Sequence, residues 1–226
     1  MPLRPSMLTE IEAALGAALL PSLTTASAAS DIYEAYLFSI VVEAARSEGA
    51  NVMFECVGGG IPNPFVFRTS PGYIASSEHN YGYAVLAFPT RPPLEVHVGI
   101  RVDGHSHVLH ECDVCVLFQD EAQLCRAKAP LMVAPRSSKV IVAVEAKHYT
   151  GGVPLHLGRA FLGLEADLSA ECVFFVANRD AGSIEKLLAH KRRRWDSQIT
   201  PLQSDRVSRL HHSFRNAFKD FKAKFS

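Results

Sequence analysis

The stretch KVIVAVEAKHY, Lys139 to Tyr149, decides how this chain is read. Its apolar run predicts a buried strand over Val140–Tyr149. Side chains on a strand alternate, so Glu145 and Lys147 share one face about 7 Å apart. Two opposite charges at the end of an otherwise buried strand need partners or a metal. The strand before it, HECDVCVLF (His110 to Phe118), carries another carboxylate inside an apolar run. Alternation assigns Glu111, Asp113, Cys115 and Leu117 to one face, and His110, Cys112, Val114 and Val116 to the other. If the two strands are neighbours, Asp113 and Glu145 converge on one cation with Lys147 beside them. Hard oxygen donors with open positions suit Mg2+ or Mn2+. A lysine next to such a site can place a water and offset negative charge developing on a phosphate.

Outward from these strands, Thr24–Ser30 reads as a linker, and Ser30 or Asp31 can cap a helix that runs to about Arg46 and ends at Gly49. Strands are predicted over Asn51–Glu55, Tyr83–Phe88, Glu95–Val102, Glu111–Phe118 and Cys172–Ala177. Helices are predicted over Leu155–Asp167, Ser183–His190 and Asp205–Lys224. Gly58, Gly59 and Gly60 could cradle a phosphate, but they lack the Lys-Ser/Thr of a P-loop and read as loop. Strands in sequence followed by a helical crossover imply an α/β fold with a mixed sheet and helices against its faces. On the long helix after Ser30, Glu34 lines up with Leu37, Phe38, Val41 and Ala45, an apolar stripe, whereas Glu43 falls on a polar face. A carboxylate on the buried face suggests a site at the sheet; a first-turn glutamate favouring the helix dipole is the alternative.

Asp113 followed by Glu145-Ala146-Lys147 resembles the D…(D/E)xK signature of the PD-(D/E)xK, or restriction-endonuclease-like, nucleases, nearest to Mrr-type catalytic domains. Tyr33-Glu34 and Gly49 match the helix that precedes the sheet in that group. The resemblance spans about residues 31–178. It implies a helix, three strands, a helix and a strand as the core. It also implies metal ligation by Asp113, Glu145 and the Ala146 carbonyl, with Lys147 as the catalytic lysine and Glu34 as an outer ligand through water. The expected activity is Mg2+- or Mn2+-dependent phosphodiester hydrolysis, in DNA, in a defence, mobile-element or repair setting. Cys112 stands where the pattern has proline, and Gln119–Lys139 separates the two strands. That insert carries Arg126, Lys128, Arg136 and Lys139 and reads as a substrate-facing loop.

The organisation expected is an N-terminal helical arm over 1–29, a nuclease-like core over 30–180 and a basic helical region over 181–226. Lys+Arg and Asp+Glu each number 23, so bulk charge neither favours nor excludes nucleic acid. The charge is unevenly placed: residues 191–226 hold ten Lys/Arg against three acids. A basic end on an acidic body suggests a polyanion or a solvated helix. Lys191, Arg192, Arg193 and Arg194, with Arg159 and His156 at the start of the helix after Tyr149, are the candidate backbone contacts. Trp195 beside them could stack a base or pack a terminal helix.

Five cysteines without a disulfide spacing indicate a reducing compartment. Cys112 and Cys115, three apart on a strand, are read as core residues whose sulfurs face opposite sides, with zinc as the weaker alternative. His97, His105 and His107 offer another zinc reading, a hydrolase of a different class. A non-catalytic nuclease-like module that binds nucleic acid or a partner is the remaining alternative. Ala13–Leu20 resembles a signal segment, but Glu10 and Glu12 precede it, and Leu8, Ile11, Leu15, Ala18 and Leu19 fall at helical spacing. No stretch reaches the roughly 18 apolar residues of a membrane span. A cytoplasmic protein is expected, and the apolar N-terminal helix reads as an arm that packs on the body or on another subunit, where it could supply a homodimer contact.

Overall fold

A computed structural model describes residues 3–225 of the chain. Seven strands form one mixed sheet in chain order: β1 (Asn51–Cys56), β2 (Gly82–Ala87), β3 (Leu94–Asp103), β4 (Leu109–Phe118), β5 (Val140–Lys147), β6 (Cys172–Ala177) and β7 (Arg194–Asp196). The first five run antiparallel to their neighbours, while β5–β6 and β6–β7 are parallel. Parallel neighbours need crossovers. The helix α4 (Leu155–Asp167) joins β5 to β6, and α5 (Gly182–His190) joins β6 to β7.

Helices pack on both faces of the sheet. On one face lie α1 (Leu3–Leu15), α2 (Ala29–Ser47) and α6 (Ser204–Lys224), sharing a core with Val96, Val114, Val116, Val142, Val144 and Phe174. On the other lie α3 (Gln119–Ala127), α4 and α5, packed on Cys115, Leu117, Ala143, Val173 and Phe175. The sequence pattern explains this layering. In α6, Leu210, Phe214, Ala217, Phe218 and Phe221 are buried, one helical stripe. Each fully buried Phe contributes about 2 kcal/mol. α2 is buried nearly all round because α1, α6 and the sheet enclose it.

α2 starts at Ala29 without a side-chain cap, rather than on Ser30 or Asp31. Its far end closes as expected at Gly49: with φ +90° there, Gly49 N–H donates to Arg46 and Ala50 N–H to Ala45. Glu48 at this end opposes the helix dipole. Arg215, Lys219 and Lys222 of α6 approach its carboxylate at 2.8, 3.9 and 3.0 Å and offset that cost. Burial works against the Glu48 charge, but bonds from Lys222 and Arg215 hold its carboxyl below the ordinary range.

Several expectations are corrected. Gln119–Lys139 is not a substrate-facing loop but α3 and two short 3-10 turns folded under the sheet. Its Arg126 forks onto the fully buried Glu95 at 2.8 and 2.6 Å, and Arg136 pairs with the buried Glu121. Of the two placements open to α1, the structure shows the first: its apolar face, with Met7 and Ile11 fully buried, packs on α2 of the same chain. The sheet also extends past residue 180, since β7 joins it. No helix among the described residues is long and apolar enough to cross a membrane.

Candidate active site

β4 and β5 are adjacent despite the insert between them, and they separate at one end. The β3–β4 ladder continues to Asp103 opposite Leu109, and the β5–β6 ladder to Lys147 opposite Ala177. The last β4–β5 pair, by contrast, is Val114 opposite Val144. Asp113, Glu145, Ala146 and Lys147 therefore sit at a fork. The Ala146 N–H, past the last strand pair, donates to Asp113 Oδ2 at 2.6 Å. Amide and carbonyl of one residue leave a strand on the same edge, so the Ala146 carbonyl faces the fork too.

Lys147 Nζ lies 2.6 Å from Glu145 Oε1 and 3.8 Å from Asp113 Oδ2. The Glu145 and Lys147 side chains are each 21% exposed and Asp113 is 9%, so the site opens to solvent above one buried carboxylate. Burial, and then the nearby Glu145, push the Asp113 carboxyl up to about 7 against the pull of Lys147 and the Ala146 amide. On α2, Glu34 is pushed up to about 9, first by burial, then by Asp113, Glu111 and Asp31. Glu111 is raised as well, by burial and by Glu145. Burial opposes the charge on Lys147, but Asp113 and Glu145 outweigh it and hold the ammonium above the ordinary lysine range. Asp113, Glu145, Glu34 and the exposed Glu111 thus act on one ammonium at this partly buried corner, and the excess of carboxyl groups calls for protons or a cation.

A break in side-chain alternation lets Asp113 sense both α2 and β5. Val98 and Val114 face the α2 core, yet Ile100 and Cys112, two residues along each strand, belong to the opposite core. Gly99, with φ +60°, and Asp113 mark the break. The expectation that Cys112 faces the same side as Val114 is therefore wrong. Cys112 joins Cys115, and a bond to that thiol, with burial, raises its own thiol far above the ordinary range. Both are buried in the core.

The histidines do not come together. His97 is buried on β3, 2.8 Å from Glu95 and stacked on Tyr83 at 5.0 Å. His105 and His107 are exposed in the β3–β4 turn. His148 packs against Tyr33 at 5.5 Å. Among the described residues, no three His, Cys, Asp or Glu side chains are placed to hold a metal by themselves. At the fork the oxygen atoms brought together are the Asp113 and Glu145 carboxyl groups and the Ala146 carbonyl.

The basic candidates divide. Arg159 on α4 and Lys191 and Arg192 after α5 are exposed. Arg193 pairs with Glu165 at 3.0 Å, and Arg194 lies over the Phe174 ring at 5.7 Å. Arg209 bonds Asp196, Lys224 bonds Glu171, and Arg215, Lys219 and Lys222 surround Glu48. Much of the basic tail thus forms ion pairs within its own chain, while the side chains of Arg193, Arg209, Lys219 and Lys224 stay 46%, 45%, 49% and 60% exposed. Trp195 packs against the α4–α5 core, with the Arg209 guanidinium 5.4 Å from its ring centroid. Sequence reasoning missed Arg68 and Arg101, which line a cavity on the β3 side of the fork; no motif marks them. Comparison of the chain with protein-family models, with curated proteins and with solved structures found no match.

Proposed function

We propose that the chain is a metal-dependent nuclease, hydrolysing phosphodiester bonds in DNA at the β4–β5 fork. One observation carries the reading: Asp113, Glu145 and Lys147, 32 to 34 residues apart in sequence for the first against the other two, meet where two buried strands separate. Asp113, Glu145 and the Ala146 carbonyl would hold Mg2+ or Mn2+. The donor set fits, because all are hard oxygens and the carboxyl groups carry more negative charge than Lys147 balances. Bound there, the cation would supply Lewis-acid neutralisation of the phosphate and a water of lowered pKa.

The chain's own residues do the rest. Glu145 holds the Lys147 ammonium at 2.6 Å, so the charge is positioned before substrate arrives. Lys147 donates to a phosphate oxygen and offsets the negative charge that builds during attack. The Ala146 amide fixes the Asp113 carboxylate. Glu34, which keeps its proton to about 9 in the absence of a cation, exchanges protons with water at the edge of the site. The exposed Arg159, Lys191 and Arg192 contact backbone phosphates without reading bases.

The test is incubation with single- and double-stranded DNA and RNA, with Mg2+, Mn2+ or chelator, beside Asp113→Ala and Lys147→Ala. Cation-dependent cleavage lost in both folded variants supports the proposal and names the substrate. Cleavage that survives both substitutions, or no cleavage of any substrate, rejects it.

A further inference from the structure

Next to the fork, a cavity of about 180 Å³ is lined by Arg68, Ser70, Tyr73, Ser76, Tyr81 and Arg101, among others. Arg68 is 5% exposed, and among the described residues it makes no salt bridge. Its guanidinium lies 3.8 Å from the Tyr81 ring centroid and donates one long bond, 3.4 Å, to the Ile74 carbonyl. None of its nitrogens is both buried and unpaired, so the donors that Ile74 leaves free reach solvent and are open to a ligand. Burial lowers the Arg68 pKa to about 10, in keeping with a cation short of a counter-charge. Arg101 likewise has no salt bridge among the described residues, and its guanidinium is 5.5 Å from the Tyr73 ring centroid. The segment around Gly72 is strapped to β3, since Gly72 N–H donates to Gly99 and Arg101 N–H to Gly72. The walls are therefore held in place. Among the described residues that line the cavity, the exposed Glu78 is the one acid, and the exposed Glu111 faces Arg101 from across the β3–β4 ladder.

We infer that this cavity binds a phosphate group of the nucleic acid, with Arg68 and Arg101 as its two guanidinium ligands. The inference rests on the nuclease reading for its choice of anion. Paired guanidinium forks match phosphate oxygens in shape and charge, and the position suits a substrate that reaches the fork. Arg101 is directly opposite Glu111 in the β3–β4 ladder, and Glu111 senses both Glu145 and Lys147. A strand laid across the fork with one phosphate in the cavity would be held in register for cleavage.

Binding of a labelled single-stranded oligonucleotide, with and without a 5′-phosphate, would be measured in chelator for wild type, Arg101→Ala and Arg68→Met. Chelator stops cleavage, so this result does not depend on activity. Each substitution is expected to weaken binding about tenfold and to flatten the salt dependence by about one phosphate contact. Loss with both oligonucleotides supports an internal backbone phosphate, and loss only with the phosphorylated one supports a terminal phosphate. Arg101→Ala, on a half-buried side chain, keeps the test valid should Arg68→Met fail to fold. Unchanged affinity and salt slope in Arg101→Ala would overturn the inference. So would thermal stabilisation of wild type by inorganic phosphate while oligonucleotide affinity ignores the substitutions, because the site would then take only the free ion. Phosphate binding without cleavage of any substrate would leave the cavity standing and reject the nuclease instead.

Discussion

Replacing Asp113 by Asn isolates the electrostatic cost of the site. Moving a carboxyl from its ordinary 3.8 to about 7 makes its ionisation in the folded protein cost about 4 kcal/mol. Because the folded value lies above the unfolded one, the stabilising contribution is complete below about pH 4 and is lost as pH rises through about 7. Between pH 5 and pH 8 the loss amounts to about 3 kcal/mol. Asn keeps an oxygen to accept the Ala146 amide and cannot ionise. Urea unfolding in chelator at pH 5 and pH 8 therefore has a definite expected result. Wild type should lose about 3 kcal/mol relative to Asp113→Asn across that interval, and the variant should be the more stable protein at pH 8. Added Mg2+ should restore much of the difference in wild type alone. Parallel stability in the two proteins, or a less stable variant at pH 8, would refute the picture of an over-charged corner.

Three further outcomes follow from the same structure. Cation affinity should strengthen as pH rises from 6 to 8, because the Asp113 carboxyl, held up to about 7, must lose its proton to bind; Mn2+ titration followed by electron paramagnetic resonance would show this, and a flat profile would count against it. Arg126→Leu leaves Glu95 buried with only His97 and should cost about 3–5 kcal/mol in chemical denaturation. Glu48→Gln should cost about 1–2 kcal/mol by loosening α6 from α2, with the difference shrinking in high salt, since all three cations around it are partly exposed.

Much of the fold is legible in the sequence because the strands are long apolar runs and α4 has clear boundaries. The Leu155–Asp167 helix is predicted with its observed ends. The meeting of Asp113 with Glu145 and Lys147 follows once β4 and β5 are taken as neighbours. Other features lie beyond local pattern. β7 is only Arg-Trp-Asp, and nothing in three mostly polar residues announces a strand. α3 is nine residues with few apolar positions, and Arg126 on it and Arg136 after it look like loop residues until the buried Glu95 and Glu121 are seen to pair with them. The alternation break at Asp113 depends on the backbone of Gly99 in the neighbouring strand, which strand periodicity cannot reveal. The pairing of the basic tail is hidden for a related reason: Glu48 and Glu171 are distant in sequence and Asp196 lies on β7, so a charge count cannot tell which cations the fold pairs.

The most direct measurement is the rate of DNA cleavage in Mg2+ by wild type and by Lys147→Ala, each shown to be folded. The substitution removes the ammonium that Glu145 holds at 2.6 Å without touching the carboxylate donors. A preorganised charge of this kind is worth about 100- to 1,000-fold in rate, and the account predicts a loss of that order with cleavage abolished by chelator. Equal rates in the two proteins, or cleavage indifferent to chelator, would contradict it.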